Sequence, residues 1–377
     1  MKVFHVITGL GQGGAEVVLY RLVSGSQDSA SHCVISLTNE GVFGERLRQC
    51  GAKVVCLGMS GAFGTLAGIA RLVRLLRRGR PDVVQTWMYH GDLLGGLAAK
   101  ILGIPVVWGV HNTNLEKNYT KRVTRGVVGI LSVIAKFVPS SIVSCSDTAR
   151  DAHQALGYPK ELFRIIPNGL DVSEYRPDHV DRESFRREIG VVAADLVFCN
   201  VARFHPQKDH RNLISAFLKA FADQDRVHLV MCGEGLVQDN SDLVRYFRAG
   251  VVPDRVHLLG ARNDIPRVLA GADYFVLSSL GEAFPCVVVE AMAAGVPCVV
   301  TDAGDSAAIV GNTGWVVPPI DSDLLASAMS AAAELAVEDR EERARGARTR
   351  IMENFHIQKM VSSYLEVWAA ACGRRGS

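Results

Sequence analysis

Twelve short, largely β-branched runs, nearly all of them continuously apolar, recur along this chain, separated by longer stretches of helical periodicity. KVFHVIT, HCVISL, KVVCLG, DVVQTWM, PVVWGVH and SIVSCS fall in the first half, and LVFCNVA, HLVMCG, VHLLG, YFVLSS, PCVVTD and GWVVP in the second. A strand with one wet face alternates apolar and polar residues, whereas a strand covered on both faces reads as an unbroken apolar run. Between the runs lie AEVVLYRLV, GIARLVRLL, GDLLGGLAAKI, RNLISAFLKAF and CVVVEAMAA, each with helical spacing. Strand–helix alternation of this kind implies a parallel sheet with helices on both faces, and two successive sets imply two doubly wound α/β domains. The length of 377 residues suits two cores better than one, and 48% apolar residues can fill both.

The join is expected near IPNGLDVSEYRPD, where Pro167, Asn168, Gly169 and Pro177 punctuate the chain. That gives a first domain over 1–170, a second over 171–355, and a C-terminal helix over 356–377 packing back toward the first. Open parallel sheets take ligands beyond the carboxyl ends of their strands, so the expected site is a cleft between the two domains.

Several classes are disfavoured early. No run of eighteen uncharged apolar residues exists, so no spanning helix is expected, and MKVFHVITGL is too short for a secretory leader. A cytoplasmic protein follows. The nine cysteines are scattered without a C-x-x-C pair, which fits reduced core residues rather than a zinc or disulfide framework.

Charge is divided unevenly. Residues 1–170 carry 19 Lys+Arg against 10 Asp+Glu, a balance of +9, while the rest carry 22 against 29, or −7, for the overall +2. Either surface composition drifts or the first half meets something anionic. IARLVRLLRRGR contributes Arg71, Arg74, Arg77, Arg78 and Arg80; EKNYTKRVTRGVVGILSVIAKFVP contributes Lys117, Lys121, Arg122, Arg125 and Lys136 around an apolar face. Such helices either lie on an anionic membrane surface or are core helices with a solvated basic side. Nucleic acid is a poorer partner, because aromatics are only 7% and no recognition motif appears.

The chemistry-bearing motifs follow predicted strands. In GEAFPCVVVEAMAAGVP, Pro285 fits a first helical turn, so the amides of Cys286, Val287 and Val288 are expected to point out of the helix start. Such a start attracts an anion, the dipole alone contributing about 0.3–1 kcal/mol. Glu290 shares the face of Val287 one turn in, and Glu282 precedes the helix. A phosphate on the amides then has a carboxylate acceptor on each side, which matches the ribose and sugar hydroxyls of a nucleotide sugar. Two alternatives fare worse: a solvated Glu290 conflicts with its apolar helix, and a hydrolytic acid/base pair needs a glutamate that reaches a glycosidic oxygen. In NVARFHPQKDHRNLI, Arg203 ends a strand and Lys208 precedes a helix starting near His210. They can pair with a diphosphate, or be solvated loop charges.

ITGLGQGGAEVVLYRL places Gly9, Gly11, Gly13 and Gly14 in a turn after the first strand. Gly9, Gly11 and Gly14 have dinucleotide-fingerprint spacing, which keeps a nicotinamide-dependent oxidoreductase in view, but no acidic residue ends the second strand. Glu16 caps this helix, enters the cleft or faces water. His111 ends the strand PVVWGVH and is either a sugar contact or an ordinary loop histidine; His90, with Asp92 beside it, stands similarly one strand earlier. Gly260, Ala261 and Arg262 of LLGARNDI follow another strand, where backbone can meet a base edge.

Together, GLGQGGAE, GVHN, IPNGLD, NVARFHPQKDHRNLI, LLGARNDI and GEAFPCVVVEAMAAGVPCVVTDAG resemble the glycosyltransferases of family 4 over nearly the whole chain, the last matching their E-x7-E element. TWMYHGDLLGGLAAKILGIPVVWGVHN is most similar to members that build exopolysaccharide, capsule or O-antigen on lipid carriers. The resemblance implies a GT-B fold: two Rossmann-like doubly wound domains facing across a cleft. It implies a metal-independent, cofactor-free transfer that retains anomeric configuration, from a nucleotide-sugar donor, expected to be a UDP-sugar, to a polyprenyl-diphosphate-linked glycan. Under it, Glu282 binds donor-sugar hydroxyls, Glu290 the ribose, and Ala283, Phe284, Pro285, Cys286 and Val287 line sugar and phosphate. Arg203 and Lys208 neutralise the diphosphate, Gly13 and Gly14 close over it with Glu16 nearby, Arg262 lies by the base, and His111 touches the transferred sugar. The chain departs from the family at Cys286, where a polar residue is common, at Asp305 for Gly and Ala308 for Glu, and at Trp87 for His. A soluble acceptor on the same fold and a non-catalytic sugar-nucleotide binder remain as alternatives.

Overall fold

The computed structural model describes residues 1–11, 13–113 and 122–373. The chain forms two compact units, Met1–Gly169 with Ile357–Ser377, and Leu170–His356.

In the first unit, β1 (Lys2–Ile7), β2 (Ser31–Ser36), β3 (Lys53–Cys56), β4 (Val83–Trp87), β5 (Val106–Val110), β6 (Ser141–Ser144) and β7 (Phe163–Ile165) form one sheet in the order β3-β2-β1-β4-β5-β6-β7. Every pairing is parallel. β4 and β5 are buried along their whole length: β5 as an unbroken apolar run, β4 with Gln85 and Thr86 buried but hydrogen-bonded. On one face, helices Gly14–Gly25, Phe43–Gln49 and Ile357–Gly373 close a core around Val3, Ile7 and Trp87. On the other, helices Gly61–Gly79, Met88–Ile101 and Arg122–Ile134 cover Phe4, Val6, Val84 and Trp108. The Ile357–Gly373 helix packs against Gly14–Gly25, where a Cβ on Gly25 would stand 3.0 Å from Val361.

The second unit repeats the plan. β8 (Leu196–Val201), β9 (Val227–Cys232), β10 (Val256–Leu258), β11 (Tyr274–Leu277), β12 (Cys298–Thr301) and β13 (Trp315–Val317) are ordered β10-β9-β8-β11-β12-β13. Its core gathers Phe198, Leu229, Tyr274 and Val299 with helices His210–Ala220 and Ser322–Ala333.

The twelve apolar runs thus become twelve strands. β7 is the addition, and it lacked the signal: three residues at a sheet edge, with Arg164 exposed between Phe163 and Ile165. In both sheets the order reverses after the first strand of the unit, between β1 and β4 and between β8 and β11. Those reversals are the switch points where doubly wound sheets hold ligands, beyond the carboxyl ends. Register fixes what emerges there: Ile7 lies level with Trp87, and Phe198 and Cys199 with Tyr274 and Phe275. Among the described residues, no helix is long and apolar enough to cross a membrane.

Candidate active site

At the second unit's switch point, β8 ends at Val201 and the chain runs through Arg203 and the turn Pro206–Lys208 into the His210–Ala220 helix. Next to it, β11 ends at Leu277 and the chain runs through Glu282 into the Cys286–Ala293 helix. The two connections are tied to each other. Leu280 N–H donates to the Gln207 carbonyl at 2.8 Å, Gln207 Nε2 to the Gly281 carbonyl at 2.5 Å, and Ser278 Oγ to the Lys208 carbonyl at 2.8 Å. The turn is itself capped, as His205 Nδ1 accepts from Gln207 N–H at 3.2 Å and Asp209 Oδ1 from Asn212 N–H at 3.3 Å.

This frame brings Lys208 Nζ onto Glu282 Oε1, where Ser279 Oγ also donates at 2.7 Å. The side chains are only 23% and 13% exposed, so the pair is far less screened than a surface ion pair. Arg203 is the opposite case. It is exposed and makes no ion pair or side-chain hydrogen bond among the described residues. One cation is therefore held in place, and the other is available to an incoming anion.

Glycines let neighbouring loops pass beneath both groups. Gly304, at φ 60°, lies so close that a Cβ would overlap the Glu282 carbonyl oxygen and stand 2.6 Å from its carbon. Gly233, at φ 152°, allows the same approach to Ala202, with Arg203 N 3.0 Å from where a Cβ would be. Sequence reasoning passed over both, along with the clamp by Gln207, Ser278 and Ser279. Gln207 and Ser278 bond to backbone carbonyls 74 and 70 positions away, and the glycines meet backbone of other loops, so motif spacing holds little trace of them.

The Cys286–Ala293 helix starts as expected at Cys286, with Pro285 as its N-cap. One expectation needs correction: Val288 N–H is taken by the Pro285 carbonyl at 3.0 Å, because the first turn tightens, so it is not an outward amide. Ala283 is half-buried in the loop; Phe284 is buried and packs on Phe355 at 5.8 Å. Glu290 is half-buried, three and four residues on from Val287 and Cys286 and thus on their face. Arg262 is not brought to this group by its side chain. Its guanidinium binds Asp264 at 2.6 and 2.8 Å and Glu188 at 2.6 Å, which raises its pKa. Only backbone remains for the role the sequence suggested there. Ala308 is likewise engaged through its carbonyl, which accepts from Arg350 at 2.6 Å.

In the first unit, Gly13 caps the Gly14–Gly25 helix in extended conformation. The Glu16 carboxylate folds back over it: a Cβ on Gly13 would overlap Oε2 and stand 3.2 Å from Cδ. Burial raises the Glu16 pKa. None of Gly9, Gly11, Gly13 and Gly14 has a left-handed φ, so close approach, not backbone strain, is what glycine permits here. His111 follows β5 and stacks on Trp87, with ring centroids 5.1 Å apart and planes 19° apart. Burial lowers its pKa to about 4, so the ring is neutral. His90 is half-buried and its pKa is also lowered by burial.

Asp92, beside His90 in the sequence, lies wholly inside the unit, where Thr86 Oγ1 donates to Oδ1 at 2.5 Å. Burial lifts its pKa from 3.8 to about 8. The folded protein then keeps a proton that the unfolded chain releases near pH 4, so Asp92 lowers stability progressively as pH rises from about 4 to about 8. Asp92→Asn should remove that component: in urea titrations its stability relative to wild type should increase from pH 5 to pH 8. An unchanged difference would show that the carboxyl does not titrate in this window.

Comparison with known proteins places the two halves of the chain in known domain families. Residues 12–174 match Glycosyltransferase Family 4 and residues 195–334 match Glycosyl transferases group 1. The UDP-Gal:alpha-D-GlcNAc-diphosphoundecaprenol alpha-1,3-galactosyltransferase of Escherichia coli is 26% identical over 310 residues, covering 80% of this chain and 79% of that protein. The N-acetyl-alpha-D-glucosaminyl L-malate synthase of Bacillus anthracis is 27% identical over 214 residues, 56% of this chain and 54% of that one. Among solved structures, Anabaena Alr3699/HepE in complex with UDP and glucose superposes with a TM-score of 0.85 at 25% identity, covering 98% of this chain and 100% of that one. With two Rossmann-like parallel sheets and matches to both domain families, the chain belongs to the GT-B glycosyltransferases, with a family 4 domain followed by a group 1 domain.

Proposed function

We propose that this chain is a retaining hexosyltransferase that moves a sugar from a UDP-sugar to a polyprenyl-diphosphate-linked glycan, with no metal and no cofactor beyond the donor. The observation that carries this reading is the cross-tied pair of loops at the β8/β11 switch point, which holds Lys208 on Glu282 and carries Arg203, exposed and without an ion pair among the described residues. As the anomeric C–O bond breaks, charge builds on the departing diphosphate. Arg203 meets it in bidentate fashion and Lys208 as a point charge. Glu282 accepts from the sugar hydroxyls and Glu290 from the ribose. Because Glu282 Oε1 already receives an ammonium and a hydroxyl, it is a poor nucleophile. The acceptor oxygen instead attacks from the face the phosphate leaves, and its proton passes to the departing phosphate oxygen. Neutral His111 is proposed as the contact for the transferred sugar, and Gly13 and Gly14 as further contacts for the diphosphate.

The UDP in the Anabaena complex supports this donor, and the diphosphoundecaprenol substrate in the E. coli relative's name supports the lipid carrier. The first unit offers a surface for such a carrier. Helix Gly61–Gly79 exposes Arg71, Arg74, Arg77 and Arg78 with Phe63 and Leu66, and Arg80 follows it. Helix Arg122–Ile134 exposes Arg122, Val123, Ile130 and Val133, with Lys136 and Phe137 just beyond. Exposed apolar side chains among cations suit an anionic bilayer surface, so the proposed location is peripheral on the cytoplasmic membrane face. Lys117 and Lys121 lie outside the described residues. No nucleic-acid partner is proposed. The malate synthase relative favours a second reading, a small soluble acceptor.

The test is transfer from UDP-sugars to a polyprenyl-diphosphate glycan in EDTA, at full rate; a strict demand for added metal contradicts the diphosphate role of Arg203 and Lys208. Activity on a soluble acceptor with no binding to anionic liposomes selects the second reading. By calorimetry, Glu290→Ala should bind UDP roughly tenfold or more weakly, as loss of a charge-assisted hydrogen bond requires. Wild-type affinity in that variant removes the ribose assignment.

A further inference from the structure

The two ring nitrogens of His111 are buried, and no group among the described residues hydrogen-bonds to either. A neutral imidazole carries one donor and one acceptor, so this ring is oriented by stacking on Trp87 rather than by a polar partner. What fixes Trp87 therefore matters to His111. Trp87 ends β4 and is completely buried, and Met88 after it takes φ 64°, an unfavourable left-handed conformation for a residue with a Cβ.

A hydrogen-bond chain of single polarity pins the indole. Trp87 Nε1 can only donate, and it donates to His5 Nδ1 at 3.2 Å. The His5 proton is then on Nε2, which lies 3.0 Å from His32 Nδ1. That leaves His32 Nε2 to donate to Ser26 Oγ at 3.0 Å, and Ser26 Oγ to donate to the Leu22 carbonyl, which can only accept. A donor-only group at one end and an acceptor-only group at the other leave no freedom of tautomer between them. The C-terminal helix adds a second support. Tyr364 stacks on the indole at 6.0 Å and 23°, and Trp368 sets its edge against His5 and His32 while donating to Gln85 Oε1 at 3.0 Å.

We infer that Trp87 is a positioning residue: it sets the plane in which His111 meets the transferred sugar, and His5 together with Tyr364 of the C-terminal helix holds the indole in that plane. The inference rests on the sugar contact proposed for His111.

His111→Ala tests that contact by itself: wild-type kcat in this variant removes the His111 reading and the inference with it. If activity falls, Trp87→Leu should lower kcat about tenfold or more, because the imidazole is no longer held in register. Its KM for the UDP-sugar should stay within about threefold, since a residue acting only at the transition state leaves ground-state binding alone. Trp87→Phe keeps an aromatic face and should recover most of the loss. With 13C-labelled histidine, the His111 ring protons, assigned from His111→Ala, should lie upfield in the wild-type spectrum under the indole ring current. Unshifted His111 protons in the wild type overturn the inference, and this reading stands even if Trp87→Leu does not fold. Wild-type kcat in folded Trp87→Leu, or a loss carried by KM alone, overturns it as well.

Discussion

Arg203→Ala should lower kcat for sugar transfer by roughly 10²–10³-fold, the usual consequence of removing one preorganised donor from a developing negative charge. Its thermal midpoint should not move. Arg203 is exposed and has no ion pair or side-chain hydrogen bond among the described residues, so none of them loses such a bond when it is shortened. Loss of rate without loss of stability is thus a clean measure of its work on substrate. Arg203→Lys should recover only part of the rate, since an ammonium keeps the charge but not the planar fork that meets two phosphate oxygens. Lys208 makes the contrast. Lys208→Ala strips Glu282 of its ion partner, so both a phosphate cation and the placement of a sugar-binding carboxylate suffer together. The Lys208→Ala and Glu282→Ala effects should be strongly non-additive because they remove the same contact, whereas Arg203→Ala should add to either. Transfer kinetics on the single and double variants decide this. A stable Arg203→Ala enzyme within tenfold of wild-type kcat removes Arg203 from the chemistry.

The contrast between these two cations marks the limit of what the chain reveals before it folds. Strand positions were legible because parallel strands covered on both faces are mostly apolar, with only a few buried polar residues such as Gln85 and Asn200, and the helices between them keep their period. Motifs placed directly after strands were legible for the same reason: the carboxyl end of a strand in a doubly wound sheet is a defined place. That suffices to put Arg203, Lys208 and Glu282 near one switch point. It does not say that Lys208 is already paired and Arg203 is not, because pairing depends on loop shape. That shape is set by Gln207 and Ser278 bonding to carbonyls across the gap between β8 and β11. Nor could spacing foresee that Arg262 would be bound by Glu188, 74 positions earlier. Trp87 is the sharpest instance. In the sequence it is a tryptophan where relatives often show histidine; in the fold it is the surface on which His111 rests, steadied by a helix that arrives about 280 residues later.

Glycines give the second large effect, and a matched pair separates its causes. Gly190 and Gly304 both lie in the second unit with left-handed φ, 71° and 60°. At Gly190 an added Cβ has nothing within 4 Å. Gly190→Ala should therefore report the backbone conformation alone, a loss of about 1–2 kcal/mol in chemical denaturation with transfer intact. At Gly304 the same methyl overlaps the Glu282 carbonyl oxygen and comes within 3.1 Å of the Ala283 carbonyl oxygen. That loop cannot simply retreat, because Thr301 Oγ1 donates to the Ser279 carbonyl at 2.7 Å just ahead of it. Relief has to come from a shift of the Glu282 backbone on the order of 1 Å, a displacement that typically costs a reaction about a hundredfold in rate. Gly304→Ala should thus show the stability loss of Gly190→Ala and, beyond it, roughly a hundredfold fall in kcat. Because Glu282 moves against a fixed Lys208 turn, the fall should be smaller in a Lys208→Ala background, where no paired geometry is left to disturb. Equal catalytic losses in both backgrounds would mean that Gly304 acts elsewhere than through the Lys208–Glu282 pair.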